Sequence, residues 1–235
     1  GFKDPESGLG LAQALISKGS ERGLDTRTRL EINQTLSAVA KENGNDQGLQ
    51  VRARLMKATS LLLNDAETAE KLTEQAMSRL EGMDQFMSAE AALLVAKQLQ
   101  QLGHADAGTT VLKNCAEIYG DDPSVMKGIA KLTDDPAILN SGHIAADLNR
   151  QGVRSYKAGT LNEARDLFRR ALALQPKNIS IALNMAQSLL HGIDPAVDVA
   201  LLEECQACLK TVGKMPESDP RHPRYQKLRI KAFGE

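Results

Sequence analysis

Residues 148–176 read LNRQGVRSYKAGTLNEARDLFRRALALQP, and this stretch gives the clearest indication of the chain's architecture. Most of it is Leu, Ala, Gln, Glu, Lys and Arg, which are the residues of high helix propensity. Apolar residues recur at intervals of three and four, which predicts helices over 145–158 and 161–174. A short turn around Gly159 separates them, and so short a connection forces consecutive helices to lie antiparallel. The stretch is therefore a predicted helical hairpin.

Similar helical periodicity runs almost from end to end of the 235-residue chain. Gly82, Gly103 and similar short breaks punctuate it, and no segment alternates as a strand would. Asp84 is one of the predicted helix starts, and Asp-Pro pairs at 122–123 and 135–136 are two others. A series of hairpins of about 34 residues is typical of a helical solenoid. The predicted helices cover 8–18, 25–41, 49–63, 65–80, 84–103, 105–119, 124–132, 136–139, 145–158, 161–174, 179–191, 197–212 and 223–232.

The hairpin at 148–176 resembles the tetratricopeptide repeat, whose template is W-x2-L-G-x2-Y…A-x3-F…P. In this resemblance Gly152 is the small residue where the first helix touches the second. Ala164 allows close helix approach, and Phe168 fills the hairpin core. The resemblance implies an all-α fold, a right-handed superhelix of antiparallel helix pairs. The other matches are Leu148 in the place usually held by Trp, Gly159 in the turn and Pro176 at the start of the next unit.

Fewer template positions match away from this hairpin. The interval from Ala96 to Gly152 is 56 residues, whereas one repeat is about 34, so about 22 residues are inserted. The unit after Ile179 keeps its small and large residues, and those at 89–123 and 49–82 keep fewer. We therefore expect an unassigned helical pair over 1–44, repeats over 45–215 with an insert near 124–143, and a basic capping helix over 216–235.

The segments from Leu148 to Gly152 and from Asn184 to Leu190 are also similar to one signalling family. They resemble the C-terminal region of bacterial response regulators that carry tetratricopeptide repeats behind a receiver domain. This resemblance implies the output region of a signalling protein. The chain opens with Gly1 rather than Met, so we expect it to be part of a longer protein with the receiver upstream.

Composition and charge exclude several classes of protein. Aromatic residues make up 3% of the chain and Trp is absent, which excludes an all-β sandwich or barrel. A net charge of −1 gives no reason to expect binding to nucleic acid or to a membrane surface. No apolar run approaches the roughly 20 residues of a transmembrane helix. Three cysteines are too few for a disulfide framework, so we expect a reducing, cytoplasmic setting.

Candidate groups for chemistry are few. Cys205 and Cys208 form a C-x-x-C pair inside a predicted helix, whereas a redox pair needs its first Cys at a helix start and a zinc site needs further ligands. We interpret both as small core residues and predict no catalytic residue, metal or cofactor. An enzyme with an unrecognised site is the alternative from a different class, and it would need converging titratable groups. No metal-ligand spacing links His104, His143, His191 and His222.

A candidate binding site follows from the tetratricopeptide resemblance, because the first helix of each hairpin lines a concave groove in that family. Asn side chains offer a donor and an acceptor for a peptide backbone, and Arg150 or Lys157 could pair with a carboxylate. A solvated polar helix face is the alternative interpretation. The predicted groove residues are Asn149, Arg150, Val153, Tyr156 and Lys157, followed in the next repeat by Ser180, Leu183, Asn184 and Gln187.

The last predicted helix is basic, and we interpret it as a cap with its charges facing water. A basic stripe contacting nucleic acid or an acidic partner is the alternative. The charged residues of this segment are Arg221, Arg224, Lys227, Arg229 and Lys231, and the residues expected to pack on the preceding hairpin are Tyr225, Leu228 and Ala232.

Taken together, the sequence predicts a non-catalytic protein–protein interaction module that binds a peptide or partner protein in its groove. A self-associating homodimeric scaffold is the alternative.

Overall fold

The computed structural model describes residues 4–19, 24–42, 46–83, 85–140, 142–194 and 197–234. These residues form thirteen helices and no strand, which confirms the predicted all-α class. Helices adjacent in the sequence pack against each other in pairs. They are α1 (Pro5–Gly19), α2 (Thr26–Glu42), α3 (Gln47–Leu61), α4 (Ala66–Glu81), α5 (Ala89–Gln101), α6 (Ala105–Tyr119), α7 (Pro123–Ile129), α8 (Pro136–Leu139), α9 (His143–Lys157), α10 (Leu161–Leu174), α11 (Ile179–Leu189), α12 (Val199–Val212) and α13 (His222–Phe233).

Local capping residues set several helix starts. The carboxylates of Asp65, Asp122 and Asp135 each accept a backbone N–H from the first turn of α4, α7 and α8. Such a cap satisfies one of the donors that a helix leaves unpaired at its N-terminus. The predicted starts at the two Asp-Pro pairs are therefore confirmed. The helix predicted from Asp84 begins at Ala89, and Asp84 itself lies outside the described residues.

The chain divides into two compact units, residues 1–84 with 91–111 and residues 85–90 with 112–235. In the first unit, α1, α2 and α3 pack on one another and α3 pairs with α4. Residues on both sides of the boundary expected at 44 therefore contribute to one core. That core includes Leu9, Ala12, Ile32, Leu36, Ala53 and Met56.

The second unit is built around the hairpin of α9 and α10. α10 also packs on α11, α11 packs on α12, and α13 packs against both α11 and α12. The helices α9 and α11 are themselves neighbours, so the predicted groove residues lie on adjacent helices. The apolar centre of the hairpin and its neighbour contains Ala145, Leu148, Leu167, Ala171 and Ile181.

α9 and α10 lie very close to each other at Gly152. A Cβ atom built on Gly152 would lie 2.6 Å from a carbon of the Phe168 ring, which is inside van der Waals contact. Phe168 is 1% exposed and Ala164 is fully buried. Gly159 follows α9 with a φ of +83°, a conformation that glycine adopts without the strain of a side chain. The predicted contact of Gly152 with the second helix and the predicted turn at Gly159 are confirmed.

The predicted insert contains α7 and α8, and its two ends meet. A Cβ atom on Gly142 would lie 2.8 Å from the carbonyl oxygen of Gly120. Asn178, which is fully buried, donates its side-chain amide to the Asp121 carboxylate at 3.0 Å and caps α11 with its side-chain oxygen. The start of the insert is thereby fastened to the start of α11.

Candidate functional site

The predicted groove residues form hydrogen bonds between α9 and α11. The side-chain amide of Asn184 donates to the side-chain carbonyl of Asn149 at 2.8 Å, and the two residues are 35 positions apart, about one repeat. The amide of Gln187 donates to the Tyr156 hydroxyl at 3.4 Å. We call Asn149, Tyr156, Ser180, Asn184 and Gln187 the polar row.

The start of the C-terminal helix α13 adds two arginines to the polar row, Arg224 in the helix and Arg221 just before it. Arg224 Nη2 donates to the side-chain oxygens of Asn184 at 2.8 Å and Gln187 at 2.7 Å. Arg221 Nη1 donates to the hydroxyl of Ser180 at 2.9 Å. Both guanidinium groups therefore lie against α11.

These contacts correct the expectation that the charges of the last helix face water. Arg221 and Arg224 are half-buried, because oxygen atoms of α11 replace part of the water that the guanidinium groups lose. Lys227 and Lys231 are exposed, as expected for a solvated face. On the other side of the helix Leu228 and Ala232 are buried, as predicted, and Tyr225 is half-buried.

Arg221 is held on its other side by an acid and an aromatic ring. Its Nε and Nη2 donate to the two carboxylate oxygens of Asp219 at 2.9 and 2.8 Å, and its guanidinium lies 5.1 Å from the centre of the Tyr119 ring. Burial alone would raise the pKa of Asp219, but the hydrogen bonds and charge of Arg221 outweigh it and lower that pKa. Burial, reinforced by the Asp219 charge, raises the pKa of the Tyr119 hydroxyl, which donates to the Met87 carbonyl at 2.8 Å.

The other predicted groove residues differ in burial. Leu183 is fully buried, so its side chain belongs to the core and the expectation that it faces a groove is wrong. Val153 is half-buried, and Arg150 and Lys157 are exposed. Arg150 pairs with Asp147 of its own helix, which leaves Lys157 as the more available cation of the two.

Tyr156 is half-buried near the C-terminal end of α9. Its ring meets the His191 ring edge-on, with 5.6 Å between the ring centres. His191 also lines an open cleft of about 600 Å³ between the α9–α10 turn and the segment that follows α11. Sequence reasoning missed this cleft, because its walls come from two turns that are distant along the chain. Its polar lining includes Thr160, Glu163, Arg165, His191 and Asp198.

The C-x-x-C pair lies inside α12, as predicted. Cys205 is fully buried and Cys208 is half-buried. Burial raises the pKa of the Cys205 thiol to about 12 and that of the Cys208 thiol to about 11, whereas a reactive or ligating thiol has a lowered pKa. Among the described residues, no group of three or more His, Cys, Asp or Glu side chains is placed to hold a metal ion.

Cys205 in the native protein should react with iodoacetamide more than about a hundredfold more slowly at pH 8 than in the unfolded chain, because only the thiolate reacts. Since folding raises both thiol pKa values, the free energy of unfolding should fall as the pH rises above about 8.5, where unfolded thiols ionise. Alkylation followed by peptide mass spectrometry measures the rates. A Leu63→Cys variant is the exposed control, since Leu63 is 79% exposed; equal rates at Cys205 and at that control thiol would contradict the prediction.

No helix within the described ranges is long and apolar enough to cross a membrane. Comparison of the whole chain with family models, curated proteins and solved structures gave no match.

Proposed function

We propose that the chain is a non-catalytic protein–protein interaction module, a right-handed superhelix of tetratricopeptide-like helix pairs that binds a peptide or partner protein along α9 and α11. The contact between Asn149 and Asn184 carries the proposal. Two amides one repeat apart lie side by side on neighbouring helices, with Asn149 8% exposed and Asn184 half-buried, and repetition of this kind builds extended binding surfaces. The three free thiols are consistent with a cytoplasmic, reducing setting.

The chemistry of the polar row suits a peptide ligand. Each Asn or Gln amide can donate and accept, which matches the alternating groups of a peptide backbone, and a peptide would replace Arg224 on the side-chain oxygens of Asn184 and Gln187. Tyr156 adds a large apolar ring with a polar end, the combination that dominates binding hot spots. Lys157, exposed one position further along, can pair with an acidic group of the ligand.

Tyr156→Ala should weaken partner binding by about 2 kcal/mol, or roughly thirtyfold in Kd. The reason is that the half-buried ring offers contact area to a partner while contributing less to the core than a fully buried side chain does. Partners are first captured on the full chain and identified, and one purified partner is then titrated calorimetrically into wild type and variant. Thermal melts of the free proteins measure the cost in stability.

Arg170→Ala is the matched control, because Arg170 is 61% exposed on α10, the second helix of the hairpin. This variant should bind the partner as wild type does. A large drop in Tm for Tyr156→Ala with an unchanged Kd would place the residue in the core and remove it from the site. An unchanged Kd for Asn184→Ala as well would move the site away from α9 and α11.

A further inference from the structure

α13 occupies the face of α11 that carries the polar row. Ser180, Asn184 and Gln187 lie at intervals of four and three, so they form one stripe along α11. Arg221, the residue before α13, and Arg224 in its first turn are three residues apart and reach this stripe at 2.7–2.9 Å. The spacing of donors on one helix therefore matches the spacing of acceptors on the other.

The acceptors that receive Arg224 are uncharged. Besides the side-chain oxygens of Asn184 and Gln187, Arg224 reaches the backbone carbonyl of Leu183 at 3.3 Å. Burial lowers the pKa of the Arg224 guanidinium, so the contact is made at the cost of lost hydration. A cation on neutral oxygens makes fewer strong contacts than a bidentate pair with a carboxylate. The Arg224 guanidinium is therefore the part of this contact that an arginine of a partner can replace.

Beyond the arginines, α13 contacts α12, where the Lys210 ammonium lies 6.0 Å from the centre of the Phe233 ring. Leu228 and Ala232 are buried, and Gln206 of α12 donates to the Ala232 carbonyl at 2.7 Å. Ile230 is 55% exposed. The segment before α13 is held by Phe86, whose backbone N–H donates to the Lys214 carbonyl at 2.7 Å. A short helix with two buried apolar residues is the kind of element that opens without unfolding the whole unit.

We propose that the polar face of α11 is a receptor for an arginine-bearing helix, and that α13 is its resident occupant, which a partner helix of the same pattern displaces. The pattern is two arginines three residues apart with a leucine four residues after the second, as in Arg221, Arg224 and Leu228. The inference rests on the proposed function and names the class of partner for the same surface. Binding of such a partner is weakened in the wild-type chain, because a tethered helix competes at high effective concentration.

The test uses a fluorescein-labelled peptide of this chain's residues 219–234 and measures its anisotropy on titration with three proteins that each span residues 1–235. Wild type should bind it weakly. A protein carrying Arg221→Ala and Arg224→Ala should bind it about tenfold more tightly, because its own helix competes less well. Lys227→Ala with Lys231→Ala is the matched control, since both lysines are exposed on the same helix, and it should bind as wild type does. A peptide carrying both arginine-to-alanine changes should lose binding to all three.

The proposal is overturned if the folded double-arginine variant binds the peptide no more tightly than wild type, or if the alanine peptide binds as well as the native one. If that variant does not fold, hydrogen exchange of wild type decides. Amides of α13 should then exchange faster than those of α11, and equal protection of both helices would show that α13 leaves its seat only on global unfolding, which overturns the proposal. None of these outcomes changes the result expected for Tyr156→Ala. The displacement of α13 can therefore be disproved while the proposed function stands.

Discussion

Phe168→Ala is expected to lower the free energy of unfolding by about 4 kcal/mol, the largest effect of a single truncation in the α9–α10 hairpin. The Phe168 ring is 1% exposed and fills the space left by the missing side chain of Gly152. Removing the ring loses its burial and leaves a cavity that two rigid helices cannot close. Urea denaturation followed by circular dichroism measures the change.

Leu174→Ala is the control for this truncation, because Leu174 lies on the same helix and is 51% exposed. Its effect should stay within about 0.5 kcal/mol. If Phe168→Ala and Leu174→Ala cost the same, the ring does not carry the hairpin core and the packing described for α9 and α10 is wrong.

Gly152→Leu is expected to cost about 3 kcal/mol, at the upper end of ordinary overpacking. Its first added carbon would already lie 2.6 Å from the Phe168 ring, and three more carbons must find room beyond it. Either the ring leaves its seat or the two helices separate, and both lose buried contact. Thermal and urea unfolding of the variant measure the loss.

Gly10→Leu is the matched control, the same change in a helix where an added Cβ atom would meet nothing within 4 Å. It should be neutral or slightly stabilising, because leucine has the higher helix propensity. The double variant Gly152→Leu with Phe168→Ala should lose less than the sum of the single changes, since leucine can use the space that the ring leaves. Strict additivity would show that the two residues are not in contact.

The core of the α9–α10 hairpin could be predicted because its determinants are local. Gly152 and Phe168 are 16 positions apart, on helices joined by a turn that Gly159 allows. Periodicity places the helices, and a small residue facing a large one sets their contact. Asn149 and Asn184 are 35 positions apart; the tetratricopeptide resemblance predicted both as groove residues, but not their contact with each other.

The seat of α13 could not be predicted, because its partners are distant and unlike the usual partners of arginine. Arg224 contacts residues 37 to 41 positions earlier, and they are neutral. A single sequence favours placing a charged side chain in water, since that is where most charges lie. The prediction that Leu183 faces a groove was wrong for a related reason. α11 is covered on several sides, so a position that would be exposed on a helix covered on one side only is buried here.

Gly120 and Gly142 are distant along the chain but lie close together in space. A loop whose ends already touch can gain or lose residues without moving the helices that flank it. The entropy of closing such a loop rises by only about 0.6 kcal/mol for each doubling of its length. An insertion at the exposed Asp134, between α7 and α8, should therefore change the closure entropy little, whereas Ile129 and Ile138 are buried and tie the two short helices to the interior.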